Sequence, residues 1–229
     1  LGGLGTGSVE IRADGYFHDW QLFNLGQWAP QQPEPCKSAP PDMPVGALSF
    51  FIWVKPDKGR PIMRRLGLNS DLHDLYSYPW LKSVRSIEFN GAFPVARLKY
   101  NEPDLPVSVE ALLFSPFIPH DSRTSGTPGF YVIFSIRNTG GGPVEVSLLA
   151  TLKNPLAHTA ADRKLFTTLR RTGRTAFLTL RTEADTTCRT SLGTLGLSMT
   201  GADPSWILGE YEPFFKGYHI SHFGGHPTP

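Results

Sequence analysis

Short apolar stretches separated by turn residues recur along the whole chain, and no helical period of comparable strength accompanies them. Turn signals stand at Asp57-Lys58-Gly59, Asn90-Gly91, Gly140-Gly141-Gly142-Pro143 and Thr172-Gly173. An Asn-Gly pair favours the positive-φ type I′ turn, so Asn90-Gly91 is expected to close a hairpin between strands at 84–89 and 95–100. We count about ten strands with turn signals between them. The sequence therefore predicts an all-β fold, a large two-sheet antiparallel β-sandwich that forms a single domain over residues 1–229.

Three further segments refine this prediction. The segment from Gly46 to Lys55 is apolar on both faces, which predicts a strand that a second layer covers. Residues 29–44 are rich in proline and predict a surface loop, because proline lacks the N–H that helices and central strands need. The few short helices are expected at Ser70–Tyr76 and over residues 156–164.

A glycine-rich opening, Leu1-Gly2-Gly3-Leu4-Gly5-Thr6-Gly7, precedes an aromatic segment from Tyr16 to Asn24. Glycine permits positive φ and lets the backbone approach another surface closely. The aromatic segment is predicted to be a strand whose side chains alternate between two faces. One face would carry His18, Trp20 and Leu22, and the other Phe17, Asp19, Gln21 and Phe23.

Two later phrases stand in a fixed order after this opening. A strand at Leu105–Ala111 leads to Ser115-Pro116-Phe117-Ile118-Pro119-His120-Asp121, and Ile136-Arg137-Asn138-Thr139-Gly140 follows. Together with the glycine-rich start and Asp19-Trp20, these phrases resemble the amino-terminal domain of glycoside hydrolase family 116. That family comprises bile-acid-type β-glucosidases that act on glucosylceramide and related β-glucosides. The resemblance extends from Gly2 to about Leu152.

The resemblance implies a two-sheet sandwich that precedes an (α/α)₆ catalytic barrel in the same polypeptide. It also implies a β-glucoside or glucosylceramide-like substrate, bound through that barrel. The chain has no initiator Met, ends on Pro227-Thr228-Pro229 and contains no helical pattern of that kind, so we interpret it as a fragment whose downstream catalytic domain is missing. Its function would be to support the barrel. The alternatives are a stand-alone carbohydrate-binding module and a purely structural sandwich.

A glycosidase needs two carboxyl groups on opposite sides of one glycosidic bond. The candidate acids are Glu10, Asp14, Asp19, Asp71, Asp74, Glu110 and Asp121. None stands in a signature that fixes such a pair, and the resemblance implies that the catalytic carboxylates lie in the barrel. We therefore assign no catalytic residue. The candidates for the surface that meets the barrel, or its substrate, are Gly3, Gly5, Gly7, Asp19 and Trp20.

Charge and hydropathy narrow the possible partners. The net charge is +2 with acids and bases interleaved, so no basic stripe predicts nucleic-acid binding. The basic residues between Arg163 and Arg174 are interpreted as a solvated strand face. No stretch reaches the roughly 18 consecutive apolar residues of a transmembrane helix.

No metal or cofactor is predicted. The segment His219–His226 contains Gly224-Gly225 and is interpreted as a terminal loop without metal. The glycine-rich start lacks the preceding strand and following helix of a nucleotide-binding loop. Cys36 and Cys188 fit either free thiols or one long-range disulfide, so they define no compartment and the localisation is left unknown.

Overall fold

The computed structural model describes residues 1–21, 48–68, 82–152, 154, 156, 162–183 and 193–201. Twelve strands lie in this part of the chain: β1 (Ser8–Ile11), β2 (Phe17–Gln21), β3 (Leu48–Pro56), β4 (Ile62–Arg65), β5 (Ser86–Ala92), β6 (Val95–Asn101), β7 (Val107–Phe114), β8 (Tyr131–Asn138), β9 (Val144–Leu152), β10 (Lys164–Thr172), β11 (Thr175–Glu183) and β12 (Thr194–Thr200). One helix, α1 (Ser122–Ser125), accompanies them. The predicted all-β class is thereby confirmed.

Several predictions fall on residues outside the described ranges. These are the proline-rich loop at 29–44, the helix at Ser70–Tyr76, most of the helix at 156–164, Asp71, Asp74, Cys36, Cys188 and the histidines of His219–His226. They stay predictions.

The chain divides into two compact units, of which the first comprises Leu1–Leu22 and Pro44–Thr151. It contains the β1-β2 hairpin and two larger sheets, in the orders β4-β3-β9 and β5-β6-β7-β8. The rings of Phe50 on β3 and Phe134 on β8 meet edge to face with centroids 5.0 Å apart, so the larger sheets pack face to face as in a sandwich.

Strand β3 lies at the centre of this core. Every residue from Leu48 to Val54 is buried, and Ile52 and Val54 have no exposed surface at all. The predicted strand with two apolar faces is confirmed. The facing sheet contributes alternate buried residues, among them Leu98 on β6 and Val109 and Leu113 on β7.

The Asn90-Gly91 hairpin prediction is wrong. Asn90 and Gly91 lie inside β5, paired with Arg97 and Ala96 of β6. The turn falls three residues later at Phe93-Pro94, whose peptide bond is cis. Proline has no N–H to donate to a ladder and therefore stands outside the paired strands. The turn therefore forms at the proline rather than at the Asn-Gly pair that precedes it.

The Gly140–Pro143 segment also differs from a hairpin turn. It joins β8 to β9, but β8 pairs with β7 whereas β9 pairs with β3. The Asp57 N–H donates to the Pro143 carbonyl at one end of the β3-β9 pair, and the Thr151 hydroxyl donates to the Ser49 carbonyl at the other. Strands β3 and β9 are therefore antiparallel. The segment therefore carries the chain from one sheet to the other.

The second unit comprises Phe23–Met43 and Leu152–Pro229. Its described strands form the antiparallel meander β10-β11-β12. The predicted Thr172-Gly173 turn is confirmed, since Thr172 pairs with Thr175 and Gly173 has φ +57°, which suits a turn with glycine at its first central position. The assignment of residues 1–229 to one domain stays a prediction.

Candidate functional site

The glycine-rich opening is bound to the segment around α1. The Gly2 amide donates to Ser115 Oγ at 2.6 Å, and the Leu4 amide donates to the Ser125 carbonyl at 2.8 Å. Leu1 and Val9 exchange two backbone hydrogen bonds of 2.8 Å each. Two phrases that lie more than a hundred residues apart in the sequence are thus neighbours in the fold.

The glycines of this loop have different structural roles. Gly3 is buried, and a Cβ there would collide with the Thr127 carbonyl and the Thr6 hydroxyl. Gly5, by contrast, is exposed, has φ +73° and has open space where a Cβ would lie. Gly7 also has positive φ, at +109°. Gly3 therefore allows the loop to pack closely against the first unit, whereas Gly5 exposes its backbone to solvent.

Helix α1 is hydrogen-bonded to the loop through the Ser125 carbonyl. Asp121 caps it, because its carboxylate accepts hydrogen bonds from the Thr124 amide at 3.0 Å and the Thr124 hydroxyl at 2.6 Å. These bonds lower the pKa of Asp121. The buried Ser125 hydroxyl bonds to both the amide and the carbonyl of Ile118, each at 3.0 Å. Sequence reasoning missed this helix, although aspartate is a preferred N-cap residue.

Asp19 interrupts the β1-β2 pairing. It has φ +46°, and the register shifts between Ser8, paired with Gln21, and Glu10, paired with His18. The strand carries one extra residue there, which is a β-bulge. The predicted alternation of faces is therefore interrupted between His18 and Gln21, whereas Leu22 and Phe23 lie outside the described residues. Local propensity gives no sign of the register shift.

The two interface candidates on β2 differ in exposure. The exposed Asp19 carboxylate accepts a hydrogen bond from Arg12 Nη2 at 2.6 Å. The indole of Trp20 is half-buried, donates to the Phe17 carbonyl at 3.1 Å and packs at 6.0 Å from the Phe17 ring. Phe17 itself is 2% exposed and belongs to the core.

The candidate carboxylates that the structure describes have structural partners at several positions. Asp14 accepts from His18 Nε2 at 2.8 Å and from the Tyr16 amide at 2.9 Å. Arg12 also donates to Glu10 at 2.9 Å, and this bond lowers the pKa of Glu10. A general acid of a glycosidase needs a raised pKa. Glu10 and Asp121 are shifted in the opposite direction.

A charged cavity of about 550 Å³ lies elsewhere in the first unit. Arg64, a buried residue of its lining, donates to Asp104 at 2.8 Å and to the Met63 carbonyl at 2.9 Å. Arg64 Nε lies 3.6 Å from the carboxylate of Glu102, whose side chain is only 6% exposed. Sequence reasoning missed this cluster. The ion pairs of Arg64 with Glu102 and Asp104 therefore connect β4 to the loop after β6.

Six exposed hydrophobic side chains gather at one end of the first unit, and we call them the apolar surface. They are Leu4, Phe93, Phe117, Ile118, Tyr131 and Ile133. The rings of Phe93 and Phe117 meet edge to face with centroids 5.2 Å apart. Tyr131 stacks on Phe114 at the same separation. Gly5 adjoins this surface through its neighbour Leu4.

The described residues contain no group of three or more His, Cys, Asp or Glu side chains that could hold a metal ion. Within them, no helix has the length and apolarity needed to cross a membrane.

Comparison with known protein families identifies a matching family model. A family model described as "beta-glucosidase 2, glycosyl-hydrolase family 116 N-term" matches residues 1–205. The match includes the glycine-rich loop, α1, the apolar surface and all twelve strands.

Proposed function

The chain belongs to the family of N-terminal domains of glycoside hydrolase family 116, and on this basis we propose that it supports the (α/α)₆ catalytic barrel of a β-glucosidase or glucosylceramidase-like hydrolase. Membership in a family of N-terminal domains implies a further catalytic domain in the same polypeptide. A β-glucoside or glucosylceramide-like substrate would bind in that domain. The family match over residues 1–205 is the observation that carries the proposal.

The lowered pKa values of Glu10 and Asp121 agree with a supporting function. The pKa of Glu10 is lowered by Arg12 and that of Asp121 by Thr124, so neither is tuned to protonate a leaving group near neutral pH. The residue pair that cleaves the glycosidic bond would belong to the barrel. This chain would contribute a rigid sandwich against which the barrel is held.

We place the glycine-rich loop and Asp19-Trp20 on the side that meets the barrel or its substrate. Gly5 offers exposed backbone, Asp19 an exposed carboxylate and Trp20 a half-buried indole. Gly3 and Gly7 shape the loop that presents Gly5. Aromatic anchors of this kind dominate the energetics of many protein interfaces.

The test of function compares the full-length polypeptide with residues 1–229 alone. We expect the full-length polypeptide to hydrolyse an aryl β-glucoside and the shorter chain to give no turnover above the buffer blank. Turnover by residues 1–229 that disappears on changing one of the described carboxylates would refute the supporting function. An inactive full-length polypeptide would refute the hydrolase assignment.

The interface placement has its own test in the full-length polypeptide. Trp20→Ala should weaken the association between domains by about 2 kcal/mol or more, the scale of an aromatic hot spot. Phe17→Ala is the matched control, because removal of a fully buried aromatic should cost the domain itself about 3 to 5 kcal/mol. Scanning calorimetry separates the two effects. If Trp20→Ala lowers the domain's own stability as much as Phe17→Ala does, Trp20 is core.

A stand-alone carbohydrate-binding module is the second candidate, because Phe93, Phe117 and Tyr131 are exposed aromatics. Such rings can stack on sugar faces. Calorimetric titration of residues 1–229 with β-gluco-oligosaccharides tests it, and binding without the barrel would favour it over the supporting function.

A further inference from the structure

The outer face of the β5-β6-β7-β8 sheet is divided into a polar half and an apolar half. The strand register places Glu88, Lys99, Glu110 and Ser135 side by side across the four strands. Two rows further along, the same register places Ala92, Val95, Phe114 and Tyr131 side by side. Leu112 and Ile133 occupy the row between these two, next to Arg97. The polarity therefore changes along the strands.

The apolar half extends around the end of the sheet. Tyr131 stacks on Phe114, and Phe114 pairs with Val95, which follows the Phe93-Pro94 turn. Phe93 meets Phe117 edge to face, and Ile118 comes next in the sequence. Ser125 then joins Ile118 to Leu4, since its hydroxyl bonds to the first and its carbonyl to the second.

The apolar surface is too large to be scattered surface hydrophobicity. Its exposed fractions are 81% for Phe93, 60% for Leu4, 55% for Tyr131, 50% for Ile118 and Ile133, and 40% for Phe117. In the described part of the first unit only Phe89 and Val146 are large exposed hydrophobics outside it. At roughly 150 to 250 Å² for a large aromatic side chain, these exposures amount to several hundred Å², the range that marks an interaction site.

The geometry favours a protein partner over a sugar. A sugar site combines ring faces with a few placed polar groups. Here Phe114 and Tyr131 cover one face of each other, and the planes of Phe93 and Phe117 differ by 68°. The aliphatic side chains of Leu4, Ile118 and Ile133 offer no hydrogen bond to a hydroxyl group. Burial of this apolar area against another protein surface is favourable, because it removes the area from water.

We propose that the apolar surface is where this domain docks onto the catalytic domain of the same polypeptide. The inference rests on the proposed function, and the family match supports this partner because it describes an N-terminal domain of a larger enzyme. Leu4 connects the surface to the glycine-rich loop, so both would face the same partner. Phe93 is the most exposed of the six side chains and would be the anchor that inserts into the catalytic domain.

The test is hydroxyl-radical footprinting of the full-length polypeptide, with Phe93 and Phe89 compared. Both are phenylalanines and react alike when equally accessible. Phe89 lies on the same sheet outside the apolar surface and is 39% exposed, so a free domain would show Phe93 modified about twice as fast. Docking reverses this order. We expect Phe93 to be modified more slowly than Phe89, at every protein concentration used.

Other outcomes overturn the inference and identify the true occupant. Faster modification of Phe93 means that the surface is free. Protection of Phe93 that appears only at high protein concentration means that a second copy covers it, and protection only on addition of a β-gluco-oligosaccharide means a sugar platform. Aryl β-glucoside hydrolysis by the same preparation reports on the proposed function. An active enzyme with an exposed Phe93 overturns the docking surface alone.

Discussion

The Gly2 amide donates to Ser115 Oγ at 2.6 Å across 113 residues of sequence. This bond fixes the glycine-rich loop to the segment that precedes α1. Ser115 is 8% exposed, so its hydroxyl is held where water has little access.

Removal of that hydroxyl should detach the loop. Ser115→Ala leaves the Gly2 N–H without its acceptor, and we expect a loss of about 1 to 3 kcal/mol in the free energy of unfolding. Urea unfolding of the full-length polypeptide measures it. Ser135→Ala, at an exposed position on β8, is the control and should change stability by less than about 0.5 kcal/mol. Equal effects in the two variants would contradict the bond's importance.

The Asp121 cap predicts a pH dependence. Its pKa is lowered from the ordinary value of 3.8 by the bonds from Thr124, so its stabilisation is present above that value and is lost as the pH falls through the folded-state pKa. Asp121→Asn keeps a capping oxygen but cannot titrate. The thermal midpoint of wild type should therefore fall more steeply below about pH 4 than that of the Asn variant.

Asp121→Ala completes that comparison. It removes the cap at every pH, so its midpoint should lie below that of Asp121→Asn even at neutral pH. Parallel pH profiles for wild type and Asp121→Asn would show that the carboxylate does not titrate differently in the folded state.

Replacement by valine should change the free energy of unfolding by different amounts at the two glycines of the turn predictions. Gly173→Val forces a β-branched residue into positive φ and should cost about 1 to 3 kcal/mol. Gly91 lies in a paired strand without positive φ, and a Cβ there meets only the far end of the Phe89 ring, which is 39% exposed. Gly91→Val should change stability by less than about 1 kcal/mol. Chemical unfolding of both variants decides the matter, and a costly Gly91→Val would contradict the placement of the β5-β6 turn.

The buried ion cluster should be sensitive to the loss of one partner. Arg64→Ala leaves the buried Glu102 carboxylate uncompensated, which should cost about 3 to 5 kcal/mol. The double variant Arg64→Met/Glu102→Leu should recover much of that loss. Lys99→Ala, which breaks the exposed pair with Glu88, is the control and should have little measurable effect. A single variant as benign as this control would show that the cluster contributes little.

Features carried by consecutive residues could be predicted from the sequence. The apolar residues on both faces of β3 indicated a strand covered on both sides. Thr172-Gly173 indicated its turn because glycine follows a polar residue between two strands. The β5-β6 turn could not be predicted in the same way. Two local signals competed there, and the proline at Pro94 prevailed over Asn90-Gly91.

Features that depend on distant partners escaped sequence reasoning. The Arg64–Asp104 bond spans 40 residues, and no spacing in the sequence connects the two. The bulge at Asp19 is a register shift, which depends on the partner strand rather than on local composition. The interface candidates Gly3, Gly5, Gly7, Asp19 and Trp20 stay predictions. The apolar surface could not be foreseen, because its members come from four separate segments that only the fold brings together.

The pairing of β3 with β9 has a consequence for biosynthesis. The Thr151–Ser49 bond in that pair joins residues 102 positions apart. During translation at about 5 to 20 residues per second, one edge of β3 waits roughly 5 to 20 s for its partner to be made. Throughout that interval the segment Leu48 to Val54, in which every residue except Ser49 is apolar, has an open strand edge on the ribosome. The nascent chain is therefore most vulnerable to aggregation before β9 is synthesised, and a chaperone that shields β3 would act at that stage.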